Sequence, residues 1–139
     1  MPFEEDLAQL ADTLIADYPG VAGVQLIIAA DSYLQQLNSR YRDKDRPTDV
    51  LSFSLGGAAV GDSDLSASPT GEIYISIDQA QQQAEAQAVA LREEVSRLLV
   101  HGLLHLAGFE HRDEAELRLM EQETDKYLQA AGITASLSP

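Results

Sequence analysis

The histidines of this chain are its strongest candidates for metal binding. All three, His101, His105 and His111, lie within eleven consecutive residues of the 139-residue sequence. A spacing of four residues on a helix places His101 and His105 on one face, one turn apart. Gly108 can end that helix and let the backbone turn, so that His111 returns to the same point. Three imidazoles that converge in this way form a zinc site of the catalytic type, because the fourth tetrahedral position stays open to water.

Each histidine taken alone has a simpler interpretation. A single histidine on an apolar helix is usually a core residue whose ring hydrogen-bonds to a carbonyl. Burying three imidazoles without partners would cost about 1–3 kcal/mol each, and a shared metal ion removes that cost. The sequence contains no cysteine, so disulfides and thiolate metal sites are excluded. We therefore predict one Zn²⁺ per chain, bound by His101, His105 and His111 and used for hydrolysis.

The histidine spacing, H-x-x-x-H-x-x-G-x-x-H, is that of the metzincin peptidases. Those enzymes carry a glutamate beside the first histidine as the general base. The equivalent position here is Gly102, which cannot accept a proton. The spacing therefore predicts a metal site, while the residue between the ligands argues against ordinary proteolysis.

Hydrophobic periodicity predicts the elements that must position these side chains. The predicted helices cover residues 3–18, 31–41, 79–87 and 91–106, and a last helix is capped by Asp113 and ended by Gly132. The predicted strands cover residues 24–30, 48–55 and 72–77, and the predicted loops cover residues 42–47 and 56–70. The pattern indicates an α+β fold: a small mixed β-sheet of three to four strands packed with about five helices. The metal site would lie at the C-terminal end of a buried helix.

Charge is unevenly distributed along the chain. The net charge of −14, from 23 acidic and 9 basic residues, repels nucleic acid and anionic membranes when taken as a whole. Four of the nine basic residues fall within seven positions, and these are Arg40, Arg42, Lys44 and Arg46. Such asymmetry can present one basic lip on an acidic body. From charge alone, a solvated loop is the favoured interpretation.

Length and composition indicate one domain over residues 1–139, since domains cluster around ~100–150 residues. The first residues lack the basic region and apolar run of an export signal. No apolar run approaches the ~18–20 residues of a membrane span. We therefore expect a cytoplasmic protein with no membrane partner.

Two segments of the chain resemble the YbeY family, the metal-dependent endoribonucleases of bacterial ribosomal RNA maturation. The first is Leu37–Phe53 (LNSRYRDKDRPTDVLSF), followed by Gly71–Ser76 (GEIYIS). The second is the histidine segment, HGLLHLAGFEH. The two together are highly specific, and the resemblance extends over about residues 24–127.

The resemblance implies a zinc-dependent endonuclease that hydrolyses phosphodiester bonds in single-stranded ribosomal RNA precursors, in rRNA maturation and ribosome quality control. It implies that the zinc ligands are His101, His105 and His111. It also implies that Arg42 is the catalytic arginine, facing the metal cleft. The candidates for contacts with neighbouring RNA phosphates are Arg40, Lys44 and Arg46. Because basic residues are few, we expect modest affinity for RNA and targeting by ribosomal or ribosome-associated proteins.

Two positions depart from the family pattern. Glu110 stands where the family has aspartate before the third histidine. The chain also begins directly with a helix, whereas family members generally have a strand first, so the sheet could be one strand short. The aromatic candidates for base stacking are Tyr41, Phe53, Tyr74 and Phe109, and the alternation around Phe53 favours a core position for that ring.

The sequence leaves parts of the mechanism open. The proton carrier could be Glu110, Glu72, Asp49 or a second water, and the nucleophile could be water or the 2′-hydroxyl of the RNA. Two other functions also remain: a zinc hydrolase of a non-nucleic-acid substrate, and a non-catalytic, zinc-stabilised ribosome-assembly factor. Gly102 argues against the first, and the basic segment argues against the second.

Overall fold

Five α-helices and three β-strands form the part of the chain described by the structure, a computed structural model that covers residues 3–42, 44, 48–54 and 71–133. The helices are α1 (Glu4–Asp17), α2 (Asp31–Arg42), α3 (Ile77–Gln87), α4 (Leu91–Leu106) and α5 (Glu114–Ala130). The strands are β1 (Val24–Ala29), β2 (Val50–Ser54) and β3 (Gly71–Ser76). A short 3₁₀ turn, Pro19–Val21, links α1 to β1. The predicted α+β class is confirmed.

The sheet is mixed, as predicted, and β3 is its central strand. The strand order is β1-β3-β2, in which β1 pairs with β3 in parallel and β2 pairs with β3 in antiparallel orientation. Ile73 lies opposite Leu26 on one side and Ser52 on the other. Among the described residues β2 is therefore an edge strand, and its outer edge accepts a side chain from α2.

Side chains of β3 alternate between the two faces of the sheet, as the period of a strand requires. Ile73 and Ile75 are fully buried beneath α4. Glu72 and Tyr74 point to the opposite face, where α2 lies and where the rings of Tyr33 and Tyr74 are 6.1 Å apart. The α4 face holds the core, and the α2 face is more open.

Helix α4 is the centre of the core. Its buried apolar residues are Val95, Leu98, Leu99, Val100, Leu103 and Leu104. It packs against the sheet, α1, α3 and α5. The predicted burial of its C-terminal half is confirmed, and the same helix carries His101 and His105.

Several predicted boundaries differ from the structure by a residue or two, and two of them concern Ile77 and Arg42. Ile77 was expected to end the third strand, but β3 stops at Ser76 because the Ser76 hydroxyl accepts a hydrogen bond from the Gln79 N–H and caps α3. Arg42 was expected in a loop, but it is the last residue of α2. The rest of that predicted loop is described only at Lys44, and the predicted loop over residues 56–70 lies outside the described residues.

Glycine ends both α4 and α5, as predicted. At the end of α4 the Gly108 N–H donates to His105 O (3.1 Å) and the Phe109 N–H donates to Leu104 O (3.0 Å). At the end of α5 the Gly132 N–H donates to Gln129 O (3.0 Å) in the same pattern. Both glycines have positive φ, 113° and 72°. This is the Schellman motif, in which a left-handed residue lets two N–H groups satisfy the last free carbonyls of the helix.

Helix α3 ends in the same motif without a glycine. Ala88 has φ 57° and ψ 42°, and the Val89 N–H donates to Ala84 O (3.0 Å). A left-handed alanine is strained by its Cβ. The short connection that separates α3 from α4 therefore holds a backbone conformation that its sequence does not favour.

Strand β1 has a strand neighbour only on its β3 side within the described residues. Its side chains Val24, Leu26 and Ile28 are half-buried and pack against the core beneath α1. None of the described helices is long and apolar enough to cross a membrane.

Replacing Ala88 with glycine should stabilise the protein. The substitution relieves the strained left-handed residue, and we expect the free energy of unfolding to rise by about 0.5–1 kcal/mol. Urea denaturation followed by circular dichroism measures the change. The matched control is Ala86→Gly, an exposed position inside α3, which should lose about 0.5–1 kcal/mol. Equal losses in both variants would contradict the strain at Ala88.

Candidate metal centre

Helix α4 brings His101 and His105 to the rim of the core. His101 is half-buried, because it lies next to the buried Val100 and Gly102. His105, one turn later, is exposed. The two rings therefore lie on one face of the helix, as their spacing predicts, with the second closer to solvent.

The turn after α4 returns His111 to this face. Gly108 ends the helix, and Phe109 then packs edge-on against Tyr18 at the end of α1, with ring centroids 5.7 Å apart. Asp113 starts α5 by accepting a hydrogen bond from the Glu116 N–H (2.8 Å), which confirms the predicted cap. His111 lies in the short segment between these two anchors. Its ring centroid is 5.6 Å from that of His101 and 6.4 Å from that of His105.

These ring separations can be compared with the needs of a metal ion. Zinc with Zn–N distances of about 2.1 Å in tetrahedral geometry places ring centroids roughly 5 Å apart. The 5.6 Å pair is close to that value, and the 6.4 Å pair is wider by more than an ångström. Accordingly, no three His, Asp or Glu side chains among the described residues already stand at ligating separation. Because His105 and His111 are exposed, their rings can rotate inward without disturbing the core.

The donor set also fits a metal ion. Throughout the described ranges, none of the three rings hydrogen-bonds to a carbonyl, so each keeps a nitrogen for ligation. Burial lowers the pKa of His101, the rings of His111 and His105 lower it further, and only Asp49 acts in the opposite direction. The neutral imidazole that metals require is therefore the favoured form of His101.

Gly102 is a packing requirement of this helix. A Cβ at this position would lie 3.0 Å from two side-chain atoms of Ile73 and 3.1 Å from Ser52 Oγ. The position faces the sheet, and a Cβ there would be crowded by both side chains. The structure therefore gives a physical reason for the absence of the metzincin glutamate, because a side chain of that length would push α4 away from β2 and β3.

The three acidic candidates for proton transfer lie in different places. Asp49 affects the pKa of His101, so its charge lies within reach of the histidines. Glu110 is exposed and forms an ion pair with Arg112, with Nε and Oε2 2.9 Å apart. Glu72 is on the α2 face of the sheet, where it accepts a hydrogen bond from the Tyr74 hydroxyl (3.0 Å). Of these three acids, Asp49 is the one whose charge acts on His101.

Arg42 is anchored at the free edge of β2. Its Nη2 donates to Ser52 O at 2.7 Å, and its guanidinium lies over the Phe53 ring, 5.2 Å from the centroid. Ser52 in turn lies against Gly102, the residue that follows His101. Arg42 and the histidines therefore share the seam between β2 and α4. No direct contact joins them, and the catalytic role of Arg42 stays a prediction.

The other basic candidates are partly described. Arg40 is exposed near the end of α2, with its guanidinium 5.8 Å from the centroid of the Tyr41 ring. Lys44 is exposed, and its N–H donates to Asn38 O (3.1 Å). Arg46 lies outside the described residues. The predicted basic lip is represented by Arg40, Arg42 and Lys44 at the C-terminal end of α2.

Among the aromatic candidates the structure corrects two expectations. Phe53, expected in the core, is half-buried on the α2 face of the sheet. Its neighbour Ser52 points to the α4 face, so the alternation of the strand turns Phe53 away from the core. Phe109, considered for base stacking, is instead half-buried against Tyr18 and holds the turn. Tyr33 joins the ring of Tyr74 across the α2 face, although no motif in the sequence singled it out.

Glu94 is a buried carboxyl that the sequence did not reveal. It lies two helical turns before His101, on the same side of α4, and is only 2% exposed. Its Oε1 and the Ser96 hydroxyl are buried side-chain atoms without a hydrogen-bond partner in the described part of the chain. Burial raises the pKa of Glu94, Asp49 and Glu93 add to the rise, and Arg97 opposes it. The pattern of apolar residues shows on which face of α4 Glu94 lies, but it does not show that other elements cover that face.

Comparisons with known proteins agree on one family. The model of the family described as "Endoribonuclease YbeY" matches residues 3–132. The endoribonuclease YbeY of Carboxydothermus hydrogenoformans is 40% identical over 124 residues, which is 88% of this chain and 82% of that protein. The endoribonuclease YbeY of Desulforamulus reducens is 35% identical over 137 residues, 94% of this chain and 90% of that protein.

A solved structure has the same fold. The solution structure of TM1509 from Thermotoga maritima matches with a TM-score of 0.60 and 27% sequence identity, covering 91% of this chain and 81% of that one. The α+β fold of this chain is therefore shared with an experimentally determined structure.

The buried carboxyl predicts a pH-dependent stability. The pKa of Glu94 is raised in the folded state, so its contribution to stability is present below the unfolded value of about 4.3 and is lost as the pH rises through the folded value. Glu94→Gln should therefore raise the free energy of unfolding at pH 7 by about 1 kcal/mol and have little effect at pH 4. Urea denaturation at both pH values measures this.

The control for this prediction is the neighbouring Glu93→Gln. Glu93 forms an ion pair with Arg97 (3.7 Å), so its loss should bring no gain in stability at either pH. If Glu94→Gln destabilised the protein at pH 7 as much as at pH 4, the cost assigned to burying the charged carboxylate would be wrong.

Proposed function

This chain belongs to the endoribonuclease YbeY family, and we propose on that basis that it is a metal-dependent endoribonuclease. The observation that carries the proposal is the cluster of three imidazoles at the end of α4, with two of its rings exposed and none hydrogen-bonded to a carbonyl of the described residues. Such a cluster is suited to an ion with an open position, which is what hydrolysis needs.

The residues that would hold the ion are His101, His105 and His111, and zinc suits an all-imidazole set. An ion held there supplies Lewis acidity, which activates water near neutral pH and polarises a phosphoryl oxygen. The three neutral rings add no negative charge, so they leave the positive charge of the site available to a phosphodiester. The charge of Asp49 raises the pKa of His101, but burial and the neighbouring imidazoles lower that pKa by more.

Arg42 is the residue we assign to the phosphate. Its guanidinium has five N–H donors, and the hydrogen bond to Ser52 O uses one of them. That bond and the contact with Phe53 hold the planar group at the edge of β2. A fixed, permanently charged fork can bind two phosphate oxygens and stabilise the charge that develops on them.

The proposed substrate is single-stranded RNA in ribosomal RNA precursors. The support for RNA is the family of the chain and the short basic segment at the end of α2. With a net charge of −14, most of the surface repels RNA, so affinity depends on a few cationic contacts and falls steeply with salt. We propose that ribosomal or ribosome-associated proteins bring the enzyme to its substrate.

The test combines metal analysis with RNA cleavage. His105→Ala should lose stoichiometric zinc and all cleavage of a single-stranded RNA, because an exposed ligand is removed without disturbing the core. Arg42→Ala should retain zinc and lose about 10²–10³-fold in kcat/KM. The matched control is Arg118→Ala, which removes an exposed arginine from α5 and should change neither quantity.

Other outcomes would contradict the proposal. If the zinc-loaded protein cleaved a peptide or small amide and Arg42→Ala had no effect, the chain would be a different hydrolase. If zinc were bound tightly while no RNA was cleaved, and only stability fell in His105→Ala, the ion would have a structural role in an assembly factor.

A further inference from the structure

Four aromatic rings form a continuous row on the α2 face of the sheet, opposite the histidines. The row runs from Tyr33 to Tyr74 (6.1 Å between centroids), from Tyr74 to Phe53 (5.9 Å) and from Phe53 to Tyr41 (5.6 Å). Together these rings line a cleft of about 490 Å³, which we call the aromatic cleft. Two of the rings come from α2 and two from the sheet, so the row is a product of their packing.

The outer rings of the row are unusually exposed. Tyr41 is 61% and Tyr33 is 45% exposed. Rings with a purely structural role are normally buried, since their large apolar area stabilises a fold only when it is removed from water. An exposed aromatic cluster that lines a cleft is typical of a binding surface.

The charges around the aromatic cleft indicate what it can bind. Arg40 lies over Tyr41 and Arg42 over Phe53, at 5.8 and 5.2 Å from the ring centroids. Both arginines and Glu72 line the cleft, and the Glu72 carboxylate accepts a hydrogen bond from the Tyr74 hydroxyl. A phosphate would be repelled by Glu72 and attracted by the arginines. A neutral, flat group is therefore suited to the rings, with its phosphates beside the arginines.

Arg42 lies at the edge of β2, between the aromatic cleft and the face of the sheet on which α4 packs. Its guanidinium contacts Phe53 on the α2 face and Ser52 O at the free edge of β2. The Ser52 side chain lies on the other face, against Gly102 in the helix that carries His101. A single strand that crosses the edge of β2 at Arg42 can thus have one phosphate near the histidines and its adjoining nucleotides at the rings.

We infer that the aromatic cleft is a base-binding subsite that stacks unpaired nucleobases of an RNA strand, next to the phosphate presented to the histidine cluster. The inference rests on the proposed endoribonuclease function and adds the place where the substrate's bases are held. Stacking on tyrosine and phenylalanine tolerates any base, because every base has a π-face. Duplex RNA is excluded, because paired bases cannot enter a cleft lined by ring faces and edges.

Binding of a labelled single-stranded oligoribonucleotide, followed by fluorescence anisotropy at constant low salt, tests the subsite. Tyr41→Ala and Tyr33→Ala should each weaken binding by about 5- to 100-fold, whereas Tyr41→Phe should restore most of the affinity because it keeps the ring. Binding of the same sequence as a duplex should not depend on either tyrosine. The control is Leu119→Ala, an equally exposed apolar residue on α5 (58%), which should bind RNA as the wild type does.

A second measurement separates base stacking from a general change of surface. Oligonucleotides that carry one abasic position at a time should reveal a position whose base contributes to wild-type binding. The same abasic position should cost little further affinity in Tyr41→Ala, because the ring and the base act as one pair. Independent losses would overturn the inference.

The two proposals fail in distinguishable ways. If the wild type cleaves single-stranded RNA and His105→Ala does not, while Tyr33→Ala and Tyr41→Ala keep wild-type affinity, the endoribonuclease stands and the base subsite is wrong. That result would favour a protein partner for the aromatic cleft. If the wild type neither binds nor cleaves RNA, both proposals are wrong.

Discussion

The left-handed turn at Gly108 is the constraint on which the candidate site depends. An α-helix leaves its last carbonyls free, and here the N–H groups of Gly108 and Phe109 satisfy those of His105 and Leu104. These hydrogen bonds end α4 one residue after His105, and the chain then turns back. Phe109 then anchors the turn on Tyr18. His111 is consequently placed beside His101 by backbone hydrogen bonds and one aromatic contact.

The close approach of α4 to the sheet has a similar importance. Gly102 allows the helix to lie against Ile73 and Ser52, at distances where even a methyl group would be tighter than an ordinary contact. This brings the histidines to the edge strand β2 and thus to Arg42, which is held by the backbone of the same strand. One edge of a small sheet therefore joins the two faces, with imidazoles on one and aromatic rings on the other. Three of the nine basic residues, Arg40, Arg42 and Lys44, are described near this edge of a chain that has 23 acidic residues.

The site is less rigid than the core that supports it. Val100, Leu103 and Leu104 are almost completely buried, whereas His105 and His111 are exposed and their rings make no hydrogen bond within the described residues. The exposed rings stand slightly too far apart to share an ion. The buried Glu94 carboxyl, without a partner for one oxygen, lies on the same helix. The polar side chains that lack a hydrogen-bond partner among the described residues are thus concentrated on and beside α4, as is common at functional sites.

The sequence by itself determined the helix and strand pattern, the glycines that end α4 and α5, and the three histidines as one cluster, because these depend on local spacing and backbone freedom. It did not determine the left-handed conformation of Ala88, since no glycine stands there, nor the burial of Glu94, which depends on what covers α4. Arg42 in α2, Phe53 outside the core and the row from Tyr33 to Tyr41 were decided by tertiary packing. Strand pairing brings β2 and β3 together from distant parts of the chain, and only then do α2 and the sheet place their rings in contact.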